Sequence, residues 1–192
     1  MESNDDALRD ACTAWQHGRD GGSSPIRAAA RVLTGTPHYF HADFIAEYER
    51  EAAESEVTMR RAGALLDALA SAPHRDAAGW ATATAVESGW VGRGIKSGAQ
   101  DDQIVATLNT GSITMPLWGL SLDREVALSF GDAFLFDLTG PFPAIAAWQA
   151  SNAKEHEREL IAGGRYAVTA VDESDTGLVV RLEFIELTPW ES

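Results

Sequence analysis

The texture of the chain changes once, near Trp80, and that change limits what it can fold into. Before it, Ala, Glu, Leu and Arg dominate and apolar residues recur at helical intervals; after it come short β-prone runs separated by turns. Helices first and strands afterwards predict an α+β fold, a helical N-terminal third leading into a mostly antiparallel sheet region. The boundary falls near residue 75, giving a helical region over 1–75 and a strand-bearing core over 76–192. A chain of 192 residues suits these two parts packed as one compact domain.

Local signals place the elements. Asp5 to His17 forms a short helix, and Gly21-Gly22-Ser23-Ser24-Pro25 breaks it. Pro25 then sits in the first turn of a helix over Ile26–Leu33, which Thr34-Gly35-Thr36-Pro37 ends. The longest helical stretch runs from Asp43 to Ala70, as one helix or two, until Ser71–Pro73 stops it. Strands are expected at Thr82–Val86, Trp90–Ile95, Phe134–Leu138, Tyr166–Val171 and Leu178–Leu187. Helices are expected between them at Asp101–Leu108 and at Asp123–Phe130, where the Asp123 carboxylate can cap unpaired amides.

Charge narrows the partners. The formal net charge of −14 disfavours nucleic acid and anionic membranes, which both need clustered Lys and Arg, and suits a cationic protein surface. Cys12 is the single cysteine, so no intramolecular disulfide forms, and it reads as a reduced, partly buried thiol. The acidic N-terminus lacks a signal peptide's apolar run, and no stretch approaches the ~20 apolar residues of a membrane span. The expected location is cytoplasmic, or a target cell reached through a dedicated delivery system. Six Trp residues imply a well-packed core or an aromatic-lined pocket, and composition does not choose.

Three segments carry residues with chemical potential. In Trp90-Val91-Gly92-Arg93-Gly94-Ile95 an arginine stands between glycines at a strand end, so its guanidinium can approach a bulky anion and bind phosphate in bidentate fashion. In Trp118-Gly119-Leu120-Ser121 a strand ends on a serine and feeds a helix whose Val126, Ala127 and Phe130 are expected to pack inward. In Glu157-Arg158-Glu159 strand alternation places the two glutamates on one face and Arg158 on the other. Carboxylates that close repel each other unless a cation or polar substrate lies between them. Each segment also has a plain reading: an exposed turn, a helix cap, a solvated acidic turn. His38-x-x-His41 with Asp43 imitates a metal site but reads more simply as helix-entry packing.

Taken in order, the segments resemble the ADP-ribosyltransferase superfamily, in its clade with Arg, Ser-Thr-Ser and Glu-x-Glu motifs. The matching pieces are Arg93-Gly94-Ile95, Gly119-Leu120-Ser121, Ala127 with Phe130, Phe134–Leu138, Glu157-Arg158-Glu159 and Gly164-Arg165-Tyr166-Ala167-Val168, covering Trp90 to Val171. The middle motif is degenerate: Gly119 stands where the family has the serine that helps hold the catalytic glutamate. Glu155-His156-Glu157 offers a second register for the last motif, but Leu160-Ile161 following directly as a buried strand favours Glu157/Glu159.

The resemblance implies a helical N-terminal region packed on a split two-sheet β-core around an NAD-binding cleft, with residues 76–192 as the catalytic core. It implies a mono-ADP-ribosyltransferase that cleaves NAD+ at the nicotinamide–ribose bond and transfers ADP-ribose to a protein acceptor, arginine by the Glu at 157. Glu159 is implied as the glutamate facing the oxocarbenium-like ribose, and Glu157 as the residue that orients the acceptor and helps remove its proton. Arg93 and Gly94 are implied to hold the NAD+ phosphates or adjacent ribose, Gly119 and Ser121 the nicotinamide side. Trp148 opens the polar stretch Gln149–His156, where the family places its acceptor loop. NAD+ is the substrate and no metal is called for. A bacterial or phage effector with toxin-like action is the implied setting. An NAD+ glycohydrolase and a catalytically inert binding module of the same fold stay open as alternatives.

Overall fold

Helix ends in this protein follow from local chemistry. The computed structural model describes residues 4–17, 22–36, 49–84, 90–151 and 158–191. Helix α1 (Asn4–His17) has Asp5 and Asp6 in its first turn and His17 in its last, charges that suit the helix dipole. In α2 (Ser23–Thr34), Pro25 lies in the first turn and Gly35 closes the helix at φ 64°; the Gly35 and Thr36 amides return to Val32 O and Arg31 O. Residues 49–54 are helical, and Ser55 starts a new helix, α3 (Glu56–Ser71), its hydroxyl accepting from Thr58 N at 3.3 Å. The long helical stretch is therefore divided at Ser55. His38, His41 and Asp43 lie outside the described residues.

The strand expected over Thr82–Val86 is not formed: Ala77–Thr84 is helix α4, and residues 85 and 86 lie outside the described set. Asp76 explains the difference, because its carboxylate accepts from Gly79 N at 2.8 Å and nucleates a helix that overrides the β-propensity of Thr and Val. The remaining elements are β1 (His74–Arg75), β2 (Gly92–Ile95), α5 (Asp101–Leu108), β3 (Ser112–Ser121), α6 (Arg124–Phe130), β4 (Phe134–Thr139), β5 (Phe142–Ala146), α7 (Ala147–Ala150), β6 (Glu159–Glu173) and β7 (Leu178–Glu186). Asp123 caps α6 as expected, accepting from Glu125 N at 2.8 Å.

Strand order is β1-β5-β6-β3-β2-β4-β7, with β6 and β7 also paired, so the ribbon of strands returns on itself. Strand β6 makes the return. Its first half pairs with β5 and β3, and its second half pairs with β7. The pairings are antiparallel except β4 with β7, which is parallel from Phe134↔Leu178 to Thr139↔Glu183. Opposite the middle of β6, β3 is irregular between Met115 and Trp118, where Pro116 can offer no amide to the ladder. A Cβ on Gly163 would fall 2.0 Å from Pro116 O, so glycine is required for the two strands to cross there.

Strands β3 and β6 separate two apolar layers. One face carries Trp118, Leu120, Leu160 and Ala162 into a core with Phe136, Tyr166 and Val180. The opposite face carries Leu117 and Ile161 into a core with α1, α2 and α3 through Trp15, Ala29, Leu65 and Leu69. The α+β expectation, helices packed on a split β-core, describes this architecture.

Candidate active site

Alternation along β3 and β6 builds the site. The register that sends Leu117 and Ile161 into the helical layer also sends Gly119, Ser121 and Glu159 to that side, at the ends of the strands. Ser121 is paired with Glu159 on one flank and with Gly92 on the other, so β2, β3 and β6 meet at one point. An open cleft of about 540 Å³, counted out to its solvent mouth, lies over this junction. Arg93, Gly94, Gly119, Ser121 and Glu159 all line it. Segments far apart in the chain thus supply one surface.

The cleft holds both signs of charge. Arg93 Nη1 donates to Gly119 O at 2.9 Å, which fixes the guanidinium against β3. Glu159 Oε1 accepts from the indole nitrogen of Trp15 at 2.8 Å. A Cβ added to Gly119 would fall 2.1 Å from Glu159 Oε1 and 3.4 Å from Arg93 Nη1, so both charged groups flank the same Cα. Arg158 adds a second cation to the lining. One helical turn before Trp15, Cys12 is fully buried; burial, then the Glu159 charge, push its thiol up to about 12, so it is protonated at neutral pH.

Ser121 is committed to the turn that leaves β3. Its hydroxyl accepts from Asp123 N at 3.0 Å and donates to Asp123 O at 2.9 Å, ahead of the Asp123 cap. Ala127 is buried in α6 as expected, but Phe130 is 56% exposed and lines the cleft instead of packing inward. Phe130 is the last residue of α6, whose end sits directly on β2: a Cβ on Gly94 would meet Ala127 O and Gly131 O.

Trp148 lies on α7, half-buried against the core between the sheets, and is not among the cleft residues. Glu157 and Glu155 lie outside the described residues, as does most of the Gln149–His156 stretch. Sequence reasoning missed Trp15, which reaches Glu159 across 144 positions and bears no local mark of doing so. It also missed Ser23 and Arg158 in the lining. Among the described residues no three His, Cys, Asp or Glu side chains are grouped as a metal would require.

No protein-family model matches the chain, and no curated protein matches it in sequence. Solved structures do match. Vis, an ADP-ribosyltransferase toxin from Vibrio splendidus solved in complex with agmatine, aligns with 100% of this chain and 78% of its own, at TM-score 0.52 and 14% identity. Exoenzyme S from Pseudomonas aeruginosa, solved with human 14-3-3 protein beta and bound to carba-NAD, covers 94% of this chain and 86% of its own, at TM-score 0.51 and 15% identity. The fold is that of an ADP-ribosyltransferase. HopU1 of Pseudomonas syringae pv. tomato agrees, at TM-score 0.50 and 14% identity over 96% of this chain and 88% of its own. Identities this low speak for the fold alone, and the fold is what the order of motifs implied.

Proposed function

We propose that this protein is a mono-ADP-ribosyltransferase that cleaves NAD+ at the nicotinamide–ribose bond and passes ADP-ribose to an arginine on a target protein. One observation carries the reading: β2, β3 and β6 deliver Arg93, Gly119, Ser121 and Glu159 to a single cleft in a chain with this fold. In a protein of net charge −14, two arginines beside that cleft mark it as a place for an anionic ligand such as a pyrophosphate. Phe130 offers an exposed ring on the same wall, a flat surface for a heteroaromatic base. The carba-NAD bound to exoenzyme S supports NAD+ as the ligand class.

The chemistry follows from charge. When the C1′–N bond breaks, its electron pair leaves with nicotinamide and the ribose becomes an oxocarbenium-like cation. At the cleft, the Glu159 carboxylate stabilises that cation more than the uncharged ribose before it. An acceptor guanidinium nitrogen then attacks C1′ and gives up a proton, for which Glu157 is the base. Ser121 shapes the turn that carries the nicotinamide side, and Arg93 with Gly94 faces the phosphates. Agmatine, bound in Vis, is itself a guanidinium compound, and the acidic surface of this chain suits a cationic acceptor. The setting is that of an effector delivered to a target cell. No helix among the described residues is long and apolar enough to cross a membrane.

The test is labelled NAD+ incubated with the protein, with and without a host lysate or agmatine. The reading predicts label on a discrete protein and on agmatine. Glu157→Gln should lose arginine modification at least about tenfold more than it loses nicotinamide release, because water needs no carboxylate to steer it. Glu159→Gln should lose both by about 10²–10³. Equal losses of the two activities in Glu157→Gln contradict the division of roles. Free ADP-ribose alone marks a glycohydrolase, and no product at all an inert module.

A further inference from the structure

We infer that Trp15, from the N-terminal helix, is the positioning residue that aims the Glu159 carboxylate, and that a side chain at position 119 would displace the oxygen Trp15 holds. The inference rests on the NAD+-cleaving reading of the cleft and concerns how its glutamate is held. The bond from Trp15 Nε1 to Glu159 Oε1 is 2.8 Å, within the short range of hydrogen bonds to ionised acceptors. An indole nitrogen only donates, so the contact favours the charged carboxylate that the reaction needs. Trp15 is itself immobilised, 4% exposed and packed in the helical layer. Holding one oxygen stops rotation of the terminal glutamate torsion and fixes the edge it presents to the cleft.

Gly119 faces the same oxygen. A Cβ there would meet Glu159 Oε1, the far end of a flexible side chain, so a side chain at 119 would displace the oxygen that Trp15 holds. The sheet supplies the carboxylate, and the helical layer its orientation.

The experiment is a double-mutant cycle on Trp15→Phe and Gly119→Ala, reading kcat and KM for nicotinamide release from NAD+, together with the Glu159 titration midpoint by carboxyl ¹³C NMR. Phenylalanine keeps most of the ring and removes the donor; alanine leaves the donor and evicts the oxygen. Each single variant should lose about 10- to 100-fold in kcat, the range for a hydrogen bond to a charged group, with KM within about twofold. The double variant should be no slower than the slower single, since both changes break the same contact. In Trp15→Phe the Glu159 midpoint should move to higher pH, because a donor to the charged form is gone. Full or raised kcat in Trp15→Phe overturns the inference, raised activity marking a contact that restrains the enzyme. Additive losses, or a change confined to KM, also overturn it. If the wild type releases no nicotinamide, the NAD+-cleaving reading falls, and the NMR midpoint alone decides whether Trp15 governs the carboxylate: a shift upholds that, no shift overturns it.

Discussion

The two apolar layers on either side of β3 and β6 are built from different stock. Between the sheets the filling is aromatic: Trp118 meets Phe136 and Tyr166 with ring centroids 5.9 and 5.3 Å apart, and Tyr166 meets Phe184 at 5.8 Å. The polar atoms of these rings are satisfied internally, Trp118 Nε1 donating to Tyr166 OH and that hydroxyl donating to Gly163 O. Burial pushes the Tyr166 hydroxyl far above the usual tyrosine range, so it stays protonated and able to donate. Under the helices the filling is small: Ala11, Ala14, Ala28, Ala29, Ala30 and Ala62 are nearly or fully buried, with Leu65 and Leu69 between them. Sheets stack about 10 Å apart, a gap that large rings fill here, whereas alanine faces let helices lie close to a sheet. The lesson lies at the seam. The same two strands feed both layers, and where their helix-facing register runs out of apolar residues it becomes Gly119, Ser121 and Glu159.

This contrast can be broken at its strongest point first. Trp118→Ala removes the largest fully buried side chain from the core between the sheets. It should cost about 3–5 kcal/mol, read from urea unfolding. A loss below about 1 kcal/mol would mean that the aromatic layer is not what holds the sheets together.

A smaller effect sharpens the helical side. Asp10 on α1 accepts from Arg61 on α3, with Oδ2–Nε at 2.8 Å and Oδ1–Nη2 at 3.3 Å. The guanidinium holds the Asp10 carboxyl below its ordinary value of 3.8. A carboxyl lowered in the folded state contributes stability above its unfolded value and loses it as pH falls through the folded one. The pair is partly solvent-exposed, so Asp10→Asn should cost less than about 1 kcal/mol at pH 7. The difference from wild type should narrow below pH 3.8 in thermal melts. A gap that stays constant through that range would show that the charge does not pin α1.

The elements legible in the sequence are those whose causes are local. Asp123 names the start of α6 because its own side chain caps it, and α5 spans Asp101–Leu108 as its pattern predicts. Strand β5 falls in none of the expected strands; its Pro143 lies outside the ladder with β6, which begins at Ala144, and faces only the two-residue edge strand β1. Strand β6 shows in the sequence as two pieces, Leu160-Ile161 and Tyr166–Val171, and in the fold it runs unbroken through the Gly163-Gly164 between them. In the cleft, Arg93, Gly119, Ser121 and Glu159 stand out in the sequence through the order of the segments that carry them, and the cleft brings the four together. Trp15 does not stand out, because a hydrogen bond across 144 positions leaves no periodicity, spacing or cap in the sequence.

Under the proposed function, the cleft at the β2–β3–β6 junction breaks the nicotinamide–ribose bond through the charge of Glu159. The most direct measurement is nicotinamide release by Glu159→Gln set against its Kd for NAD+. The substitution keeps the side chain's size and removes the charge that matters when the ribose becomes cationic. The expected result is a Kd within about twofold of wild type and a rate lower by about 10²–10³. A variant that binds NAD+ normally and releases nicotinamide at the wild-type rate would contradict it.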